Sequence, residues 1–172
     1  MHAIVWLRPR TQNSVNTQKP VSIQAGIFPV NPSDFPRVLA VWEASVRATH
    51  HFVSEADLQY FKRLVHDGLA QVPELLCARD SAGQVAGFIG IDQDKVEALF
   101  IHPDWRGKGI GRRLMEHAIQ VLGATRVDVN EQNDQAVGFY LRMGFDAVGR
   151  SEVDDFGKPY PLLHMALRER TE

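Results

Sequence analysis

Apolar residues along the chain switch between a spacing of about two and a spacing of about 3.6, and the switches mark the expected elements. Thr11 to Gln18 is polar and aperiodic, so residues 1–20 are expected to form a flexible extension ahead of a single domain at 21–170. A strand is expected from Val21 to Phe28, closed by Pro29, Asn31 and Pro32. Ser33 or Asp34 can cap a first helix with its apolar face at Val38, Leu39, Val41, Trp42, Ala44 and Val46. A second helix starts at Ser54-Glu55-Ala56-Asp57, buries Leu58, Phe61, Leu64, Val65 and Leu69, and stops before Pro73. Strands at Leu75–Arg79, Gln84–Ile91 and Val96–Ile101 follow, separated by Asp80-Ser81-Ala82-Gly83 and Asp92-Gln93-Asp94 turns. A third helix carries Ile110, Leu114, Ala118 and Val121 on one face and ends at Gly123. Thr125–Val129 is a short strand, and Asn133 or Asp134 opens a helix with Ala136, Val137, Phe139, Tyr140 and Met143, stopped by Gly144. Phe145–Val153 and Tyr160–Leu167 are the last strands. The order βααβββαβαββ predicts an α/β (α+β) domain: a mixed, mainly antiparallel sheet of about seven strands flanked by four helices, with no internal repeat.

The stretch from Val96 to Leu122 holds the most specific chemistry. An apolar strand stops at His102-Pro103-Asp104, glycines alternate at Gly107, Gly109 and Gly111, and a helix follows. Such a turn brings backbone N–H groups close to an anion, and the helix N-terminus adds about half a positive charge. Arg106, Lys108, Arg112 and Arg113 add cationic side chains. A P-loop is excluded because Gly107-Lys108 is followed by Gly109 rather than Ser or Thr. A dinucleotide fingerprint is excluded because the run is G-x-G-x-G, with no acidic residue on a second strand about 20 residues on.

Composition narrows the rest. A chain of 172 residues with 44% hydrophobic content suits one globular domain, and a net charge of −2 argues against a nucleic-acid surface. No run approaches the roughly 18 apolar residues of a membrane span, and the apolar start has its arginines, Arg8 and Arg10, on the wrong side for a signal peptide. One cysteine, Cys77, excludes an internal disulfide, suits a cytoplasmic location, and is expected to be buried packing. His2, His66, His102, His117 and His164 show no metal-ligand spacing, so no metal is expected.

Arg106-Gly107-Lys108-Gly109-Ile110-Gly111 fits Q/R-x-x-G-x-G/A, and so resembles the acetyl-CoA pyrophosphate loop of the GNAT N-acetyltransferases. Asn133 to Phe145 resembles the N-x-x-A-x-x-F-Y-x-x-x-G-F signature of the same superfamily, in the expected order. The likeness covers roughly Val21 to Leu167. Ala48-Thr49-His50-His51-Phe52, Val129 to Asn133 and Gly149 to Leu163 resemble a narrower branch, the bacterial YjaB-like acetyltransferases.

The resemblance implies direct transfer of acetyl from acetyl-CoA to a primary amine, on a small molecule, peptide or protein, within a ternary complex. It implies that the strand with Leu99, Phe100 and Ile101 bulges and diverges from the strand at Thr125–Val129. The pantetheine arm then fills the gap, pairing with Leu99 and Ile101, and an N–H near Ile101 polarises the thioester. By the same resemblance, Arg106, Gly107, Lys108, Gly109, Ile110, Gly111 and Arg112 hold the phosphates, Asn133 bonds the cofactor, and Tyr140 protonates the leaving thiolate. Family habit adds a possible homodimer. The acceptor cleft is expected to be lined by Trp42, His50, His51, Phe52 and Glu55, with Asp154, Asp155 and Tyr160 opposite.

The chemistry of the residues agrees with part of this. A phenol with a pKa near 10 can protonate a thiolate of similar basicity. By strand alternation Glu97 shares a face with Leu99 and Ile101, making it the first candidate base, with His50 and His51 behind it. Plainer readings stay open: Tyr140 as core, Glu97 as an ordinary strand residue, His50 and His51 as a helix-end pair. A non-catalytic acyl-CoA-binding or sensing domain is the alternative function, and Tyr140 argues against it because a pure binder has no use for the acid.

Overall fold

Ser54 and Asn133 open helices with side-chain caps, whereas the Asp34 carboxylate makes no cap bond to the first helix and accepts from the Asn31 N–H and Arg79 instead. The computed structural model describes residues 3–4 and 26–169. Within it α1 spans Phe35–Thr49 behind Asp34, with Pro36 in its first turn, and α2 spans Glu55–Gly68 behind Ser54, whose hydroxyl accepts the Asp57 N–H at 3.2 Å. Strands β1 (Ala3–Ile4), β2 (Phe28–Pro29), β3 (Glu74–Arg79), β4 (Val85–Asp92) and β5 (Lys95–Ile101) precede α3 (Ile110–Gln120). Then come β6 (Arg126–Asn130), α4 (Asp134–Arg142), β7 (Phe145–Ser151) and β8 (Leu162–Leu167). The sheet runs β2-β3-β4-β5-β6-β8-β7, with β1 added on β5. Every pairing is antiparallel except β5 with β6.

Two apolar layers sandwich this sheet. One is built by α3 and α4 against Ile89, Val96, Leu99, Ile101, Val127 and Val129; the other by α1 and α2 against Phe88, Ala98 and Phe100. Fully burying such side chains stabilises the fold by about 1.5–3 kcal/mol each. The expected order of helices and strands holds from α1 onward, with differences at element ends. The strand expected from Val21 shows only Phe28–Pro29, while residues 21–25 lie outside the described residues; so does the expected flexible extension, apart from Ala3–Ile4. Pro29 is the last residue of β2, as expected, and is tolerated in the pairing because β2 is an edge strand. The last two strands stop at Ser151 and start at Leu162, leaving a longer loop between them. Val121 is exposed, and Met115 takes its place in the core. No helix among the described residues is long and apolar enough to cross a membrane.

Candidate active site

The site grows from a split in the sheet. β5 and β6 pair only through Lys95–Arg126 and Val96–Val127 and then part. On the other side of β5 the pairing with β4 continues, and the His102 N–H bonds to Ala86 C=O at 2.8 Å. Backbone groups alternate sides along a strand, so Phe100 faces β4 while the N–H and C=O of Leu99 and Ile101 face the gap. Phe100, expected among the cofactor contacts, is therefore a core residue: its ring packs on Phe88 and Trp42. The gap-facing groups must find partners. Ala3 of β1 stands opposite Leu99, and the Ser45 hydroxyl donates to the Ile101 carbonyl. Ser45 went unnoticed in the sequence; its only signal is a small hydroxyl on the apolar face of α1.

At the end of β5 the glycines do what their spacing predicts. Gly107 and Gly109 have φ of 73° and 78°, and Gly109 is the residue immediately before α3. Both lie in open space, so it is torsion rather than crowding that demands glycine there. Lys108 stands over the Trp105 ring, 4.3 Å from its centre, Arg112 pairs with Glu116 at 2.8 Å, and Arg106 bonds to Gln135. Ile110 and Gly111 are buried in the first turn of α3. Between this loop and α4 lies a cleft of about 710 Å³ lined by Pro103, Arg106, Gly107, Asp134, Gln135, Gly138 and Arg142. Two guanidinium groups beside a positive-φ turn at a helix start suit a phosphorylated ligand.

Asn133 is the cap of α4: its side-chain oxygen accepts the Ala136 N–H at 3.1 Å. Its amide nitrogen reaches the His50 Nε2 at 3.5 Å. His50 Nδ1 lies 2.8 Å from the Thr49 hydroxyl, which itself donates to the Ser45 carbonyl at 2.8 Å. Thr49 has only one proton, so the proton between Thr49 and His50 belongs to the ring, and Nε2 is an acceptor. A hydrogen-bonded chain thus runs from the Ile101 carbonyl through Ser45, Thr49 and His50 to Asn133 and the start of α4. It ties the two sides of the gap together.

Burial lowers the His50 pKa to about 3, with His51 nearby adding to the effect. Buried, and with both ring nitrogens engaged by Thr49 and Asn133, His50 is placed as a strut rather than as the base. The unfolded chain accepts a proton that the folded one refuses. The stabilisation is therefore complete above about pH 6.5 and is lost as pH falls toward about 3. Nitrogen-resolved NMR is expected to show a neutral ring protonated on Nδ1 from about pH 8 down to about pH 5. A titration step inside that window would contradict the bonding pattern.

Tyr140 is fully buried on α4, its ring centre 5.1 Å from that of Phe139 and 5.9 Å from that of Phe145. It shares the α3–α4 layer with Leu99 and Ile101. Glu97 does not. In the β4–β5 register Gly90 faces Ala98 and Ile91 faces Val96, which leaves Glu97 as the extra residue of a β-bulge. Simple alternation placed it with Leu99 and Ile101; the bulge turns it to the opposite face. There it stands 3.9 Å from Lys95, which also pairs with Asp128 at 2.7 Å. Burial raises the Glu97 pKa; Lys95 opposes the rise, while Asp92, Asp128 and Asp155 add to it. The polar line continues from Asp128 to His164 at 2.7 Å and from His164 to Ser151 at 2.7 Å. Widely separated sequence positions hid it.

The α1–α2 connection and the β7–β8 loop wall the Glu97 face. Phe52 lies between His50 and Tyr160, with ring centres 5.2 and 6.1 Å away. Tyr160 donates to Asp57 at 2.6 Å, and Lys158 pairs with Asp57 at 2.8 Å, pinning the loop to the start of α2. Asp154 accepts the N–H groups of Phe156 and Lys158 and so organises its own loop. His51 is exposed at this rim, and Glu55 is bound to Arg47. Trp42, expected to line the cleft, is instead 1% exposed in the α1–α2 core. Cys77 is buried, its thiol pushed up to about 11 by burial, in keeping with packing. No cluster of three or more metal-ligating side chains is present among the described residues.

Known proteins place this geometry. Residues 43–167 match the acetyltransferase (GNAT) domain. The peptidyl-lysine N-acetyltransferase YjaB of Salmonella typhimurium is 48% identical over 129 residues, 75% of this chain and 88% of that protein. The Escherichia coli protein of the same name is 47% identical over 129 residues, covering 75% and 87%. Among solved structures, apo YjaB from Escherichia coli superposes with a TM-score of 0.76 at 44% identity, covering 81% of this chain and 95% of that one. PaiA N-acetyltransferase of Thermoplasma acidophilum, solved with coenzyme A, shares the fold at TM-score 0.65 and 21% identity, over 83% and 98%. By this match over most of its length, the chain belongs to the GNAT family of acetyltransferases.

Proposed function

We propose that the protein transfers acetyl directly from acetyl-CoA to a primary amine, with the lysine side chain of a peptide or protein as acceptor. The observation that carries this reading is the gap between β5 and β6, with the backbone of Leu99 and Ile101 facing it and the glycine turn at its end. The residues fit the cosubstrate: Arg106, Arg142 and the backbone of Gly107 to Gly111 suit its phosphates, and the gap edge suits its amide-bearing arm. Ala3 holds the Leu99 position in this structure, so binding displaces β1. The lysine acceptor is taken from the names of the YjaB relatives.

Tyr140 and Glu97 lie on opposite faces of the sheet, which gives each a separate task. The amine arrives on the Glu97 face, walled by Phe52 and Tyr160, and must be neutral to attack. Glu97 accepts its proton, directly or through water, while the Ile101 N–H donates to the thioester oxygen. The amine nitrogen bonds to the acyl carbon, the carbon–sulfur bond breaks, and Tyr140 gives its proton to the departing thiolate. The buried single cysteine accords with a reducing cytoplasm.

Release of free CoA thiol across a panel of amines and lysine peptides tests the reading; acetyl-CoA binding without any release would favour the sensing alternative. A glutamate that must be ionised makes kcat/KM fall as pH drops through a value above the ordinary 4.5, because burial raises it. Glu97→Gln is expected to lower kcat/KM about 100-fold or more and to abolish that acid limb. An unchanged pH profile in the variant would remove Glu97 from the chemistry.

A further inference from the structure

Asn130 is the last residue of β6 and lies 1% exposed, yet neither its amide nitrogen nor its carbonyl oxygen has a hydrogen-bond partner. Asn130 stands opposite Leu162 on β8, and its backbone carbonyl accepts the Asn133 N–H at 3.0 Å. Its side-chain amide is orphaned. Natural proteins rarely leave a buried amide in this state, because desolvation without a partner is costly. By strand alternation its side chain shares a face with Asp128, opposite Val127 and Val129, which belong to the α3–α4 layer. That is the Glu97 face, and Asn130 ends the strand that borders the gap.

An asparagine side chain offers both a donor and an acceptor at the spacing of a peptide group. The group that satisfies both at once is a secondary amide, whose N–H and C=O reciprocate. We propose that Asn130 is a binding residue for a secondary amide of a bound substrate, either in the pantetheine arm of acetyl-CoA or in the peptide backbone of the acceptor. This rests on the transfer reading above, which supplies both sources. A site built to pair an amide is left with two buried orphans when the ligand is absent, as observed. In the sequence Asn130 stood only within Val129 to Asn133, a stretch resembling the YjaB-like branch, with no role of its own.

Asn130→Leu keeps the size of the side chain and removes both polar atoms. Without ligand it is expected to melt at the same temperature as wild type or higher, because a desolvated orphan is exchanged for apolar contact. Titration calorimetry with CoA, and initial rates with a lysine peptide and with n-butylamine, which has no amide, then separate the sources. A CoA affinity about 10-fold weaker or more assigns the contact to the pantetheine arm. Unchanged CoA affinity, with kcat/KM down about 10-fold or more for the peptide but not for n-butylamine, assigns it to the acceptor backbone. All three quantities within about twofold of wild type would overturn the proposal, as would a marked fall in melting temperature, which would make the amide structural. Wild-type protein that binds CoA but acetylates no amine refutes the transfer reading alone; calorimetry with CoA and with the lysine peptide then decides Asn130, weaker binding of either supporting the proposal and unchanged binding of both overturning it.

Discussion

Replacing Tyr140 with phenylalanine is expected to lower kcat by about 100- to 10,000-fold while leaving acetyl-CoA affinity and melting temperature close to wild type. The ring contributes packing against Phe139 and Phe145, and phenylalanine preserves that contact. What the substitution removes is one ionisable proton. A thiolate leaving without a proton donor is a poor leaving group, so the loss falls on the transition state and appears in kcat rather than in KM. Single-turnover rates with a saturating lysine peptide, together with calorimetry for CoA, make the measurement. Rates within about threefold of wild type would leave Tyr140 as core only.

The double substitution Gly107→Val, Gly109→Val is expected to weaken acetyl-CoA binding severely. Both glycines have positive φ, where a β-branched side chain is strained by about 1–2 kcal/mol per residue. Neither has a neighbour within 4 Å of an added Cβ, so no steric clash contributes and the effect is torsional. If the loop relaxes, its N–H groups turn away from the phosphates and affinity falls by roughly 30- to 700-fold. If the loop holds its shape, the same strain appears as a lower melting temperature. Calorimetry and thermal unfolding on one sample capture both routes. No change in either would show that the turn does not hold the phosphates.

Much of the fold was legible in the sequence because local rules and tertiary structure agree there. Ser54 and Asn133 cap helices with side chains one turn away, and Gly123 and Gly144 take positive φ just after α3 and α4. The phosphate turn was legible for the same reason: its shape depends on glycine torsions within a few residues. Periodicity failed where one residue was inserted. Glu97 is the bulged residue of β5, and a single extra residue reverses every assignment of strand face before it. The same limit applies to Trp42, since an apolar face pattern says that a residue is buried but not whether its neighbour is core or cleft. His50 looked like a base because histidine usually titrates near neutrality. Its burial, invisible in a string of letters, makes it a strut instead.

By itself the sequence determined the element order, the caps at Ser54 and Asn133, the glycine turn, and the candidate acid and base. Those are properties of residues and their near neighbours. Tertiary structure fixed where β5 and β6 part, after Val96 and Val127, a divergence the family resemblance implied, and it alone set Tyr140 and Glu97 on opposite faces of the sheet. It also joined Ile101 to Asn133 through Ser45, Thr49 and His50, and left Asn130 buried with its amide unpaired. Hydrogen bonds between groups 56 and 83 residues apart, and the burial of one amide, arise only when distant strands and helices pack, so no local pattern encodes them.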